Sequence, residues 1–196
     1  VIQEYHGEEK RFVDKEAMRN RLLEIIKEKS LQTNVERVLA SGRTSTYYID
    51  AKMTTLDPEG AKLVGHMILD ILKSYDIDAI GGYTLGADPI VSVVAALSAE
   101  TDRPLPAFIV RKEPKKHGER KMIEGPFQQG WKVAVVDDIV TTAGSTLKAI
   151  KAVEEEGGNV ALALTIVDRL EGGRENLEKG GYTFLSLFTR KDLLGE

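Results

Sequence analysis

Apolar residues recur along this chain with two spacings. In residues 16–29, Met18, Leu22, Leu23, Ile25 and Ile26 recur at the spacing of one helix face. After Val38, Leu39 and Ala40, Ser41-Gly42 marks a turn and TSTYYID reads as a strand. Asp57-Pro58 places an N-cap before a proline suited to the first helical position, and predicts a helix to about Ser74. Short apolar runs at 78–82, 106–110, 132–136, 159–167 and 183–188 predict strands, and 89–99 and 144–156 predict helices. Residues 111–127 have no period and are rich in charge. Strands alternating with helices predict an α/β fold with a central, mostly parallel sheet flanked by helices that supply the crossovers. Residues 1–50 fit the alternation poorly. They are expected to form an N-terminal helix and a small hood over the sheet, with residues 51–196 as the core of one structural domain.

Composition narrows the function classes. A length of 196 residues suits one compact domain, and 42% hydrophobic with 30% charged residues is ordinary for a globular protein. The net charge of −4 offers no global basic footprint, so nucleic acid is not an expected partner. The absence of cysteine excludes a disulfide framework and thiolate chemistry. No apolar run approaches the length of a membrane span, so no membrane is expected. The opening VIQEYHGEEKRF is polar, lacks the apolar core of a signal peptide and begins without methionine, which reads as a trimmed start of a cytoplasmic protein.

The most informative stretch is VVDDIVTTAGST, residues 135–146. Apolar residues run into two adjacent carboxylates and then into hydroxyls around a glycine. In an open α/β sheet, ligands bind beyond the carboxyl ends of the strands. Asp137 and Asp138 fall there, and the segment after them opens a helix whose free N–H groups and dipole favour a phosphate. Thr141, Thr142, Ser145 and Thr146 add hydroxyls, and Gly144 allows close backbone approach. Carboxylates can accept from vicinal sugar hydroxyls or hold a metal through water, while the donors hold a phosphate. The pairing fits a ribose 5-phosphate. An acidic loop before a Thr- or Ser-capped helix is the alternative reading, and a Walker A loop is excluded because GxxxxGK[ST] is absent.

The whole stretch resembles the signature of the phosphoribosyltransferase superfamily, whose donor is 5-phosphoribosyl 1-diphosphate (PRPP). The resemblance implies the type I phosphoribosyltransferase fold. It implies that Asp137 and Asp138 take the ribose hydroxyls, and that Ile139, Val140, Thr141, Thr142, Ala143, Gly144 and Ser145 bind PRPP around its 5′-phosphate. A second stretch, RKEPKKHGERKMIEG, carries six Lys or Arg against two Glu within residues 111–121, a local net of +4. On its own it reads as a solvated surface loop. After a strand, RKExKxHG resembles the catalytic loop of orotate phosphoribosyltransferases. By that resemblance Arg111, Lys112, Lys115 and His117 contact the pyrophosphate of PRPP, with Lys115 and His117 catalytic. The loop reaches the neighbouring subunit, which implies a homodimer.

The same family uses the arginine of a strand-end DR pair for its base, which assigns Arg169 to the orotate carboxylate. It also uses the first threonine of the PRPP loop, here Thr141. ASGRTSTYYID resembles its SGR segment, which places Tyr48 and Ile49 along the orotate pocket. Mg²⁺ is the implied cofactor, held mainly through PRPP and reached by Asp137 or Asp138 through water. Two family lysines are missing: Ala40 precedes SGR, and Gly86 stands in the loop GGYTLGADP. The N–H groups of Leu85, Gly86 and Ala87 are expected to serve the pyrophosphate instead. Together these features imply Mg²⁺-dependent transfer of phosphoribose to N1 of orotate, giving orotidine 5′-monophosphate and pyrophosphate. A purine-base phosphoribosyltransferase and a PRPP- or nucleotide-sensing regulator on the same fold remain the alternatives.

Overall fold

The computed structural model describes residues 14–38, 44–114 and 121–195. Helix α1 (Lys15–Ile25) starts at Asp14, whose carboxylate accepts from Glu16 N–H at 3.0 Å, and continues as one π-helical turn, Ile26–Ser30. Strands β1 (Leu31–Val38) and β2 (Thr44–Ile49) then pair antiparallel as a separate hairpin. Short α2 (Lys52–Thr55) leads to α3 (Pro58–Leu72). As the sequence predicts, Asp57 caps α3 by accepting from Glu59 and Gly60 N–H, with Pro58 in the first turn.

The remaining elements alternate: β3 (Ala79–Tyr83), α4 (Asp88–Ser98), β4 (Ala107–Val110), β5 (Ile123–Glu124), β6 (Lys132–Val140), α5 (Gly144–Glu155), β7 (Asn159–Asp168), α6 (Gly173–Lys179), β8 (Phe184–Thr189) and α7 (Arg190–Leu194). The described residues form a six-stranded sheet in the order β5-β4-β3-β6-β7-β8, parallel except for β5, which runs antiparallel to β4. Helices cover both faces. Val64, Ile68, Ile90 and Val94 of α3 and α4 pack with Leu22 and Ile26 of the N-terminal helix against Ala134, Val136, Leu162 and Leu164. Ala149, Ile150 and Val153 of α5 and Leu177 of α6 pack against Val133, Val135 and Ala163 on the other face. Burying each such Leu, Ile or Val contributes about 1.5–3 kcal/mol. No described helix is long and apolar enough to cross a membrane.

The N-terminal helix and hairpin share the first of these cores: Leu22, Ile26, Tyr47 and Ile49 are all buried in it. Arg19 reaches the far end of the chain, 2.7 Å from Asp192 and 4.7 Å from the centre of the Phe188 ring. Burial works against the charge of Asp192, yet Arg19 and the Thr189 capping box draw its carboxyl down to about 2.

Several elements differ from the sequence expectation, β6, β5 and α6 among them. β6 runs to Val140 rather than Val136, because Ile139 and Val140 stay in register with Val167 and Asp168 of β7. β5 appears inside the aperiodic stretch, where a two-residue pairing leaves no periodic trace. Helix α6 follows Gly172, at φ 94°, and buries one large apolar side chain, Leu177, too few for a helical pattern to stand out.

Candidate active site

The chain enters the sheet at β3, adds β4 on one side, then returns to add β6 on the other. The switch point, where an open α/β sheet leaves a crevice at its carboxyl edge, therefore lies between β3 and β6. The β3–α4 loop and the carboxylates of β6 meet there. Gly86 approaches so closely that a Cβ on it would lie 2.4 Å from Asp138 Oδ1. The Thr84–Leu85 peptide is cis, and Thr84 Oγ1 donates to Asp88 Oδ2 at 2.7 Å. The Ala87 N–H is occupied by the Tyr83 carbonyl at 3.3 Å, so of the three amides expected to face a ligand, only those of Leu85 and Gly86 have no partner among the described residues.

Strand alternation separates the two aspartates. Successive side chains on a strand point to opposite faces. Asp137 follows Val133 and Val135 toward α5, where its Oδ2 accepts from Thr146 Oγ1 at 3.0 Å and its Oδ1 from Asp138 N–H at 3.0 Å. It is 6% exposed, and burial, reinforced by the charge of Asp138, pushes its carboxyl up to about 7. Asp138 turns the other way. Its Oδ1 accepts from Ile139 N–H at 2.8 Å, and its Oδ2 lies 4.0 Å from Lys52 Nζ. Thr146 is buried with its hydroxyl committed to Asp137, so it does not join the exposed hydroxyls.

The rim of the site is Thr141, Thr142, Ala143, Gly144 and Ser145, of which Thr142, Gly144 and Ser145 are exposed. Ala143 stands before α5 with φ 65° and ψ 19°, and no side chain caps that helix. The first N–H groups of α5 therefore have no partner among the described residues, an arrangement that favours an anion. Ile139 is half-buried and Val140 buried, so these two contribute backbone rather than side chain.

Arg169 follows β7 and is 6% exposed. Its Nε donates to the Tyr47 hydroxyl at 3.2 Å, and one terminal nitrogen pairs with Glu171 at 2.9 Å. This places the arginine that the sequence assigns to a ligand carboxylate in a buried ion pair. Asp168 holds the turn that follows, accepting from Leu170 N–H at 2.8 Å. Tyr48 is half-buried, while the Ile49 side chain belongs to the core and only its backbone can face a ligand.

Arg111, at the end of β4, is fixed by the Glu113 carbonyl and by Glu124 at 3.1 Å, and Lys112 is exposed. Lys115, His117, Ala40 and the Ser41-Gly42-Arg43 segment lie outside the described residues. Among the described residues no group of three or more His, Cys, Asp or Glu could hold a metal. A carboxylate pair with one nearly buried member fits an ion carried by a substrate better than an ion caged by protein. Sequence reasoning missed Lys52 and Tyr47, which lie in segments read only as hood or as core and gain meaning from contacts distant in the chain.

No family model matches the chain. A curated relative, the orotate phosphoribosyltransferase of Aquifex aeolicus (strain VF5), is 47% identical over 178 residues, covering 90% of this chain and 97% of that protein. The crystal structure of Mycobacterium tuberculosis H37Rv orotate phosphoribosyltransferase in complex with Fe(III) dicitrate matches with a TM-score of 0.80 and 36% identity, covering 90% of this chain and 99% of that one. That enzyme in complex with 5-phospho-alpha-D-ribosyl 1-diphosphate matches with a TM-score of 0.75 and 34% identity, covering 90% of this chain and 98% of that one.

Proposed function

The chain belongs to the orotate phosphoribosyltransferase family, and from that premise we propose that the crevice between β3 and β6 is where it moves the phosphoribosyl group of PRPP to N1 of orotate. The family transfers ribose phosphate from PRPP to orotate in pyrimidine biosynthesis. The observation that carries the residue assignments is the convergence, on one sheet edge, of a carboxylate pair, an uncapped helix start and a buried arginine.

In this reading the 5′-phosphate sits on the N–H groups and hydroxyls of residues 141–145, with the backbone of Ile139 and Val140 beneath it. Asp138, with Asp137 behind it, accepts from the ribose 2′- and 3′-hydroxyls. The bond from C1 of the ribose to the pyrophosphate oxygen breaks as N1 of orotate bonds to C1, so the ring gains oxocarbenium character. The nearby carboxylate charge stabilises that cation. The pyrophosphate leaves toward the Leu85 and Gly86 amides, under the basic segment of Arg111, Lys112, Lys115 and His117. Arg169 holds the orotate carboxylate through a guanidinium nitrogen left over from Tyr47 and Glu171, with Thr141, Tyr48 and the Ile49 backbone around the ring. Orotate reacts as an anion, so no strong general base is needed.

Asp137 or Asp138 would reach a PRPP-borne Mg²⁺ through water, and that ion would supply charge neutralisation for the pyrophosphate. The exposed Met53, Leu56 and Leu85 support a homodimer, in which the basic segment serves the partner's site. Nucleic acid is not a partner in this reading, and the setting is cytoplasmic.

An absorbance assay with orotate, PRPP and Mg²⁺, run beside adenine, hypoxanthine, guanine and uracil, tests the reading. Loss of orotate that requires both PRPP and Mg²⁺ is expected. Turnover of a purine with none of orotate overturns the base assignment and leaves the donor site standing.

A further inference from the structure

Lys52 stands at the donor site without a role in the mechanism above. Its backbone is fixed: Asp50 N–H donates to the Ser30 carbonyl at 2.9 Å, and the Thr54 hydroxyl of α2 lies 2.6 Å from the buried Ser30 hydroxyl. Its side chain is partly exposed. Lys52 Nζ pairs with Asp50 at 2.7 Å, reaches Asp138 only at 4.0 Å, and the side chain keeps 43% of its exposure. Asp138 is approached both by Lys52 and by Gly86, whose loop has open amides. Asp50 and Asp138 flank Lys52, and among the described residues Lys52 is the cation that reaches the β6 pair. A polyphosphate entering beside Asp50 and Asp138 meets repulsion unless a cation meets it. The hydrogen bond that Lys52 donates to Asp50 raises the lysine pKa, so the ammonium stays charged across the working pH range.

We infer that Lys52 is a substrate-contacting cation that leaves Asp50 and Asp138 to bind the pyrophosphate of PRPP. The inference rests on the donor-site reading above. A compact ammonium on a flexible stem suits a transfer between carboxylates and a phosphate.

The test is steady-state kinetics of the full chain and its Lys52→Met and Lys52→Arg variants, forward with PRPP and orotate, reverse with orotidine 5′-monophosphate and pyrophosphate. Losing one charge-assisted contact should raise KM for PRPP and for pyrophosphate in Lys52→Met by about ten- to a hundredfold. KM for orotate should hold within about twofold, and Lys52→Arg should recover most of the loss. Thermal unfolding with Mg²⁺ and pyrophosphate reads the same contact without turnover: the ligand-induced rise in midpoint should shrink in Lys52→Met. Unchanged KM values for PRPP and pyrophosphate overturn the inference. So does an equal rise in every KM with a lowered ligand-free midpoint, which marks a structural lysine. If the unaltered protein does not consume orotate, the base assignment falls, and the pyrophosphate-induced midpoint shift alone decides on Lys52.

Discussion

Tyr47 and Arg169 meet in a buried contact across 122 residues of sequence: the guanidinium donates to the tyrosine hydroxyl at 3.2 Å and lies 4.8 Å from the centre of the same ring. This ties the N-terminal hairpin to the end of β7. Tyr47→Phe keeps the ring and removes the acceptor, leaving Glu171 to aim the arginine. KM for orotate should rise about three- to tenfold, the loss of one hydrogen bond of ~1 kcal/mol, with KM for PRPP unchanged. Kinetics with each substrate varied in turn checks this, and an unchanged KM for orotate argues against Arg169 as the base anchor.

Asp137 couples activity to stability through pH. Its carboxyl is pushed up to about 7 from an ordinary value of 3.8, by burial and then by Asp138. Between those values the folded chain holds a proton that the unfolded chain has released. Stability from this group is therefore complete below 3.8 and is lost as pH rises through about 7. Asp137→Asn should leave the thermal midpoint unchanged in acid, raise it above neutrality by a free energy on the order of a few kcal/mol, and lower kcat by about a hundredfold or more. Unfolding curves at acid and alkaline pH, beside a turnover assay, separate the two effects.

Gly86→Ala probes the closest approach in the site. The added Cβ would sit 2.4 Å from Asp138 Oδ1, so the carboxylate must turn away. Turnover at low PRPP should fall about tenfold or more, while stability changes by less than about 1 kcal/mol, because the exchange lies in a partly exposed loop. A variant with full activity would mean that Asp138 tolerates displacement and does not position the ribose.

Metal removal should act on turnover alone. A chelator is expected to abolish activity with PRPP and orotate and to leave the ligand-free midpoint where it was, since among the described residues no metal cluster contributes to the fold. PRPP with Mg²⁺ should then raise the midpoint in a concentration-dependent way. Differential scanning fluorimetry with and without chelator is sufficient.

Local signals were the legible part. Asp57-Pro58 predicted the start of α3 because a cap and a proline act within four residues of each other. The stretch 135–146 announced strand, carboxylates and helix start in one reading. Its carboxylates also misled: aspartate disfavours strands, so the pattern stops at Val136, yet the ladder with β7 carries the strand on to Val140. The contacts Lys52–Asp138 and Tyr47–Arg169 were invisible because they depend on where the hairpin and α2 come to rest. Thr146 looked like one more hydroxyl for a phosphate, and only its burial under Asp137 reveals its different duty.

Ala143 adopts a left-handed backbone that costs an alanine about 1–2 kcal/mol, and the helix it introduces starts with bare amides. An ordinary helix completes its first turn with its own serine or aspartate. On the donor site proposed above a sugar phosphate does that work, so α5 becomes a segment whose final stabilising group arrives from metabolism and departs with each product. Between turnovers its first turn should exchange amide hydrogens fastest. A cell rich in activated ribose would then keep its own copies of this protein better folded, with no second site required to sense the supply.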